Sequence, residues 1–86
     1  MYKITIKRSA EKELQKLPSL IVPKITSTID LLATNPRPTG SKKLAGSREN
    51  IWRVRVGDYR IVYLIADEIR IIEIRRIGHR KDIYKK

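Results

Sequence analysis

Three arginines with strand-like spacing are the residues of this sequence best suited to chemistry. Arg53 and Arg55 alternate with apolar residues, and Arg60 follows after a short break at residues 57–58. This alternation sends cationic and apolar side chains to opposite faces of a strand. A face of guanidinium groups suits phosphate, because arginine offers a planar fork with a permanent charge. We call Arg53, Arg55 and Arg60 the arginine comb, and its pattern predicts an RNA-binding surface.

The side chains that could move protons lie just beyond the comb. His79 precedes Arg80, and Tyr84 follows four residues later. A histidine changes charge near neutral pH, whereas a tyrosine hydroxyl needs nearby cations before it can act as a base. Tyr84 could act as such a base or stack on a nucleobase of the RNA. Each residue also has a simpler interpretation: His79 as a hydrogen-bonding turn residue, and Tyr84 as an aromatic side chain that packs on the sheet. The sequence therefore indicates RNA binding together with candidates for cutting RNA.

Composition limits the classes of function. The chain has 86 residues, a net charge of +11 and an isoelectric point near 10.4, which fits one small domain over residues 1–86 with anionic partners. Residues 1–36 hold six basic and three acidic side chains, against fourteen and six in residues 37–86, so the second half carries most of the charge. With no cysteine, disulfides and thiolate chemistry are excluded, and with one histidine a structural zinc site is not expected.

Several elements must position these residues. Residues 2–7 alternate as a first strand, and Ser9 is the expected N-cap of a short helix that ends before Pro18. A second helix begins at Ser19 or just before Pro23, and residues 35–41 form a loop. Strands are then expected at residues 50–56, 59–66 and 69–76.

The predicted fold is α+β, with the order β-α-α-β-β-β. The helical hairpin packs on one face of a small, mainly antiparallel sheet, because short turns join the last three strands. Apolar residues with helical spacing on the second helix should face this sheet: Ile21, Ile25, Ile29 and Leu32. The aromatic residues of the sheet are expected at its core or rim: Trp52, Tyr59 and Tyr63.

In order and spacing, these segments resemble the RelE/ParE superfamily of prokaryotic toxins. The resemblance rests on the first strand, the helical hairpin and a series of short motifs: Asn-Pro-Arg at 35–37, Lys-Lys-Leu-Ala-Gly at 42–46, Trp-Arg-Val-Arg at 52–55, Tyr-Arg-Ile-Val-Tyr at 59–63, Ile-Gly-His-Arg at 77–80, and Tyr84. RelE-type members cleave mRNA in the ribosomal A site, whereas ParE-type members poison DNA gyrase and lack the nuclease residues. The basic comb, Arg80 and Tyr84 favour the RelE branch.

The resemblance implies the toxin of a type II toxin–antitoxin system, acting as a ribosome-dependent mRNA endonuclease. Cleavage would need no metal and would use the 2′-hydroxyl of the RNA. The implied catalytic residues are Arg53, Arg55, Arg60, His79, Arg80 and Tyr84, and the implied RNA-binding residues are Lys42, Lys43 and the comb. Arginine replaces the family's usual lysines at Arg53 and Arg55, so a lysine base is unavailable there and the base stays open. The alternatives are a ParE-like toxin acting on gyrase and a catalytically inactive RNA-binding homologue.

Partners and location follow from the same resemblance and composition. The expected partners are the ribosome, mRNA and a cognate antitoxin, whose acidic segments would match the basic charge and fold on binding. No cofactor is expected. No membrane partner is expected either, because no apolar run approaches the roughly 20 residues that cross a bilayer. The first residues lack the apolar stretch of a signal peptide, so a cytoplasmic location is expected.

Overall fold

The structure is a computed structural model that describes residues 1–46 and 48–83. Its elements follow the predicted order, with one short strand added before the last three. Their bounds are β1 Lys3–Ile6, α1 Arg8–Gln15, α2 Val22–Leu32, β2 Ser41–Lys43, β3 Ile51–Val56, β4 Tyr59–Ala66 and β5 Ile71–His79. No helix in these two ranges is both long and apolar enough to span a membrane.

The strands form one mixed sheet in the order β1-β5-β4-β3-β2. β1 runs parallel to β5, and the other three pairs are antiparallel. This arrangement confirms the α+β class and the antiparallel meander of β3, β4 and β5. The added strand β2 has the sequence Ser-Lys-Lys, which lacks the apolar alternation that would predict a strand. It gains its strand geometry by pairing with β3.

Both helices cover one face of the sheet. Ala10 of α1 and Ile25, Ile29 and Leu32 of α2 are buried against alternate residues of the strands, including Ile61 and Ile72. Tyr63 is fully buried in this core, while Trp52 and Tyr59 pack at its margin, as predicted. We call this helix-covered side the inner face and the other side the outer face.

Two sequence predictions about element ends are wrong. Ser9 is not an N-cap, because α1 begins at Arg8 and its N-cap is Lys7, whose extended backbone still donates its N–H to Ile74 at the end of β1. Strand β5 does not end at residue 76 but continues through Gly78 to His79. The second helix begins at Val22 with Pro23 in its first turn, as one of the two alternatives predicted.

A β-bulge explains why the end of β5 was missed. Val62 of β4 pairs with Arg76, but the next residue, Tyr63, pairs with Ile74, so Arg75 is the extra residue. The bulge moves the buried positions from Ile72 and Ile74 to Ile77. The simple alternation therefore stops at Arg75 although the strand does not.

Candidate functional site

The arginine comb lies on the outer face of the sheet. Arg55 is directly opposite Arg60 across β3 and β4, and Arg53 lies two residues away on the same face. The residues between them, Val54 and Ile61, are buried on the inner face. Register and burial therefore place all three guanidinium groups on the side without helices.

Strand β2 adds a fourth cation to the comb. Lys42 is directly opposite Arg53, so the face carries two like-charge cross-strand pairs: Lys42 with Arg53 and Arg55 with Arg60. Like charges directly opposite each other destabilise a sheet. Among the described residues, no carboxylate forms an ion pair with any of these four side chains. An anionic ligand would relieve this repulsion.

Backbone carbonyls orient two of the comb guanidinium groups. Arg60 donates from Nη1 to the carbonyls of Gly57 at 3.1 Å and Tyr59 at 3.0 Å, across the tight β3–β4 turn. Gly57 has a φ of 60°, a backbone conformation that favours glycine. Arg53 donates from Nη1 to the carbonyl of Gly40 at 3.3 Å. These contacts leave other N–H groups of each fork available to an anion.

Carboxylates neutralise a different part of the outer face. Arg75, the bulged residue of β5, donates to Glu49 at 2.8 and 2.9 Å and to Glu73 at 2.7 Å. The Arg75 guanidinium holds the pKa of Glu49 below its usual value, and both carboxylates raise the pKa of Arg75. Unpaired positive charge on this face is therefore concentrated over β2, β3 and β4.

Residues 80–83 form a turn, which we call the C-terminal turn, and it folds back over the outer face. Ile83 is 3% exposed and packs against Ile51 and Val62. Its carbonyl accepts a hydrogen bond from Arg76 Nη1 at 2.8 Å, and its N–H donates to the carbonyl of His79 at 3.0 Å. Gly78 lies directly under this turn, since a Cβ there would be in van der Waals contact with Ile83 Cδ1 at 3.4 Å.

His79 lies on the inner face, unlike the comb. It pairs with Tyr59 across β4 and β5, and the two rings meet edge to face with centroids 5.3 Å apart. Its Nδ1 accepts a hydrogen bond from the N–H of Lys81 at 3.1 Å. The side chain lines a cleft of about 280 Å³ together with Tyr59, Glu13 and the end of α1. His79 and Arg60 thus share one end of the sheet but not one face.

The remaining predicted residues occupy separate positions. Arg80 is exposed, and its N–H donates to the carbonyl of Asp58 at 2.8 Å, while its Nε lies 4.0 Å from Asp58 Oδ1. Lys43 is opposite Trp52 and so alternates away from Lys42. Tyr84 lies outside the described residues. The structure therefore brings together Lys42 and the comb, places Arg80 beside the neighbouring turn, and separates His79 and Lys43 from them.

Sequence reasoning missed two polar contacts near these residues. Glu13 of α1 accepts a hydrogen bond from the N–H of Ile77 at 3.0 Å and forms an ion pair with Arg76 at 3.2 Å. The carboxylate thus gives a partner to a backbone N–H of β5 beyond the end of β1. Arg37 forms an ion pair with Asp67 at 2.8 Å across 30 residues of sequence. No local pattern announces either contact, because both partners come from distant parts of the chain.

Metal-ligating residues are sparse where the structure is described. Within residues 1–46 and 48–83, no group of three His, Asp or Glu side chains has an arrangement that could hold a metal ion. The groups able to bind a ligand on the outer face are cations. The surface as described is suited to phosphate.

Comparisons with known proteins give consistent results. Residues 4–84 match the family described as ParE toxin of type II toxin–antitoxin system, parDE. The chain is 37% identical over 87 residues to RelE1 of Methanocaldococcus jannaschii, covering 98% of this chain and 96% of that protein. It is 34% identical to toxin RelE of Mycobacterium tuberculosis, covering 98% of this chain and 87% of that protein. A chain in the crystal structure of the archaeal RelE–RelB complex from Pyrococcus horikoshii matches with a TM-score of 0.82 and 28% identity, covering 94% and 97% of the two chains.

Proposed function

The chain belongs to the ParE toxin family of type II toxin–antitoxin systems, and from this premise we propose that it is a ribosome-dependent mRNA endonuclease acting in the A site. The observation that supports the proposal is the pair of like-charge contacts, Lys42 with Arg53 and Arg55 with Arg60, on a face without helices. A sheet that keeps four cations together, without an ion pair to any carboxylate of the described residues, is arranged for a polyanion. RNA threaded through the ribosome is such a ligand.

The proposed reaction begins when a ribose 2′-hydroxyl attacks the adjacent phosphorus. The P–O5′ bond then breaks and leaves a 2′,3′-cyclic phosphate and a 5′-hydroxyl. A base takes the proton of the 2′-hydroxyl, and an acid supplies one to O5′. Negative charge grows on the phosphate oxygens during attack, and the comb would stabilise it. One preorganised contact of this kind is worth about 10²–10³ in rate, by analogy with oxyanion-hole donors.

His79 is the proton donor in this proposal. Its Nδ1 accepts the N–H of Lys81, so the neutral ring carries its proton on Nε2. To supply a proton the ring must first become an imidazolium, which gives up the bond from Lys81 at Nδ1 and can then donate from Nε2 to O5′. Since His79 and Arg60 lie on opposite faces at the same end of β4 and β5, RNA must pass that end of the sheet to meet both.

Arg80 and Tyr84 complete the proposed site. The exposed guanidinium of Arg80 is loosely placed beside Asp58 and would move onto a phosphate. Tyr84 would act as the base, a role in which a tyrosine needs cations that stabilise the tyrosinate. The comb itself cannot take this role, because arginine stays protonated.

Cleavage of mRNA during in vitro translation tests the arginine assignments. We expect the double variant Arg60→Ala with Arg80→Ala to cut at least about 10²-fold more slowly, the cost of one lost electrostatic contact. The control is Lys12→Ala with Lys24→Ala, which makes the same change in net charge on the exposed side of the helices. Full activity of the arginine variant would contradict these roles.

A ParE-like action on DNA gyrase is the second candidate, because the matching family is described by its ParE members. The basic outer face could serve such a toxin through protein contacts alone. Plasmid supercoiling separates the two functions, since gyrase poisoning alters supercoiling directly and mRNA cleavage does not. Binding of RNA without cutting would instead indicate an inactive homologue.

A cognate antitoxin is the proposed protein partner, as the RelE–RelB complex of Pyrococcus horikoshii suggests. Acidic segments that fold on binding would cover the comb or displace the C-terminal turn. The turn lies at the end of the described residues, where Ile83 packs on the sheet and its carbonyl accepts from Arg76. A complex that left both the turn in place and the comb open to RNA would contradict this proposal.

A further inference from the structure

The loop from residue 33 to residue 40 crosses the whole width of the sheet. It begins at the β1 edge, where the N–H of Tyr2 donates to the carbonyl of Ala33 at 2.8 Å. It ends at the opposite edge, where it leads into β2. The placement of this loop therefore decides where β2 and its lysine lie.

Arg37, in the middle of the loop, is held by side chains from other parts of the chain. Arg37 donates from Nη2 to Asp67 Oδ2 at 2.8 Å, and the hydroxyl of Tyr2 donates to Asp67 Oδ1 at 2.6 Å. The guanidinium of Arg37 also lies 5.3 Å from the ring centroid of Trp52, within the range of a cation–π contact. The Arg37 guanidinium and the Tyr2 hydroxyl hold the pKa of Asp67 below its usual value. We call Tyr2, Arg37 and Asp67 the loop latch.

The latch acts on the part of the loop that reaches the comb. Gly40, whose φ is 93°, presents the carbonyl that accepts from Arg53 Nη1. The N–H of Ser41 donates to the carbonyl of Pro38 at 2.9 Å and fixes the entry into β2. Because β2 has only three residues and one partner strand, its register depends on how the loop before it is held, by the latch and by the Tyr63 hydroxyl, which donates to the carbonyl of Pro36 at 2.6 Å.

Charge makes such support necessary. Lys42 and Arg53 are directly opposite each other across β2 and β3. Like charges in this position destabilise the pairing of the edge strand β2 with β3. An attachment elsewhere on the loop must oppose this destabilisation. The latch supplies such an attachment, because Asp67 holds the guanidinium of Arg37, which lies beside the ring of Trp52 on β3.

We propose that Asp67 is a positioning residue for RNA binding: through Arg37 it holds the loop so that Lys42 and Arg53 engage phosphate together. The inference rests on the proposed RNA function and adds a residue that touches no RNA itself. An exposed ion pair contributes little to global stability. The role of Asp67 is therefore one of geometry.

The direction in which Asp67→Asn changes RNA affinity distinguishes a positioning role from an effect of net charge. Asp67→Asn removes a negative charge from the protein, which by itself would strengthen RNA binding. The inference expects weaker binding, by about fourfold at physiological salt, the value of one phosphate contact. Glu68→Gln is the matched control, because it makes the same charge change at the next, exposed residue and should bind as wild type or slightly tighter. Asp67→Glu keeps the carboxylate and should recover most of the affinity.

A double-variant cycle places the effect on β2 and β3. Affinity is measured for an RNA oligonucleotide blocked by 2′-O-methyl groups, so that binding is read without cleavage. In an Arg53→Ala background, Asp67→Asn should have little further effect, whereas in an Arg60→Ala background its full effect should remain. Equal effects in both backgrounds, or an Asp67→Asn protein that binds like Glu68→Gln, would overturn the inference.

Two readouts without RNA separate this inference from the proposed function. Trp52 is the single tryptophan, so its fluorescence should change when Arg37 is released in Asp67→Asn. Hydrogen exchange at the Ser41 amide should become faster in the same variant. Unchanged exchange and fluorescence would overturn the latch even if RNA binds. A wild-type protein that binds no RNA would overturn the proposed function and, with it, the positioning role.

Discussion

The salt dependence of RNA binding should fall in equal steps as the cations of the outer face are removed. Four side chains can contact phosphates there: Lys42, Arg53, Arg55 and Arg60. Each phosphate neutralised on a single strand contributes about 0.7 to the slope of log affinity against log salt. The wild-type slope should therefore be near −2.8, roughly four times the value for one contact.

Single substitutions give the size of each step. Arg55→Ala or Arg60→Ala should reduce the slope by about 0.7 and weaken binding roughly fourfold at physiological salt. The two losses should not add fully, because removing either arginine also removes the repulsion within the Arg55–Arg60 pair. The double variant should therefore lose less affinity than the product of the single losses.

Fluorescence anisotropy with the 2′-O-methyl oligonucleotide, over roughly 50–200 mM salt, measures these slopes. Lys24→Ala is the control, because it removes an equal charge from the exposed side of α2. Its slope should match that of wild type. If Lys24→Ala lowers the slope as much as Arg60→Ala does, binding depends on net charge and the comb is not the binding surface.

Three further predictions concern stability, measured by denaturant unfolding. Burial raises the pKa of Tyr63 to about 12, so the unfolded chain holds fewer protons between about pH 10 and 12 and stability should fall there by about 2–3 kcal/mol. Tyr63→Phe should abolish this alkaline loss of stability. At neutral pH the same variant should lower the free energy of unfolding by about 1 kcal/mol, because the hydrogen bond to Pro36 is lost. An alkaline loss as large as in wild type would contradict the assignment to Tyr63. Ile83→Ala should lower the free energy of unfolding by about 2 kcal/mol, because the buried side chain packs on the sheet. An unchanged free energy of unfolding would mean that the C-terminal turn is not packed on the sheet. The lowered pKa values of Glu49 and Asp67 place stability above about pH 4 that is lost on acidification, so Asp67→Asn should flatten this decline and an identical pH profile would contradict it.

Local patterns predicted much of the fold and the basic surface. Strand β4 has the bounds expected from its alternation, and β3 differs by one residue. The same alternation correctly predicted that the comb residues share one face, because strand geometry fixes side-chain direction within a few residues. The resemblance to RelE/ParE toxins, which came from the order of these segments, is confirmed.

The missed features depend on contacts between distant residues. The register that brings Lys42 opposite Arg53 and the pairing of Arg37 with Asp67 are long-range, and no spacing rule encodes them. The bulge at Arg75 is different, since the three-residue step from Ile74 to Ile77 carried its signal. It also turned the His79 side chain to the inner face, which simple alternation from the comb could not indicate.

We propose above that this toxin cuts mRNA on the ribosome. In vitro translation followed by primer extension on the mRNA tests it most directly, with the purified protein added and ribosomes present or omitted. We expect new 5′ ends within A-site codons that disappear when ribosomes are left out. Intact mRNA and undiminished translation in the presence of the protein would contradict it.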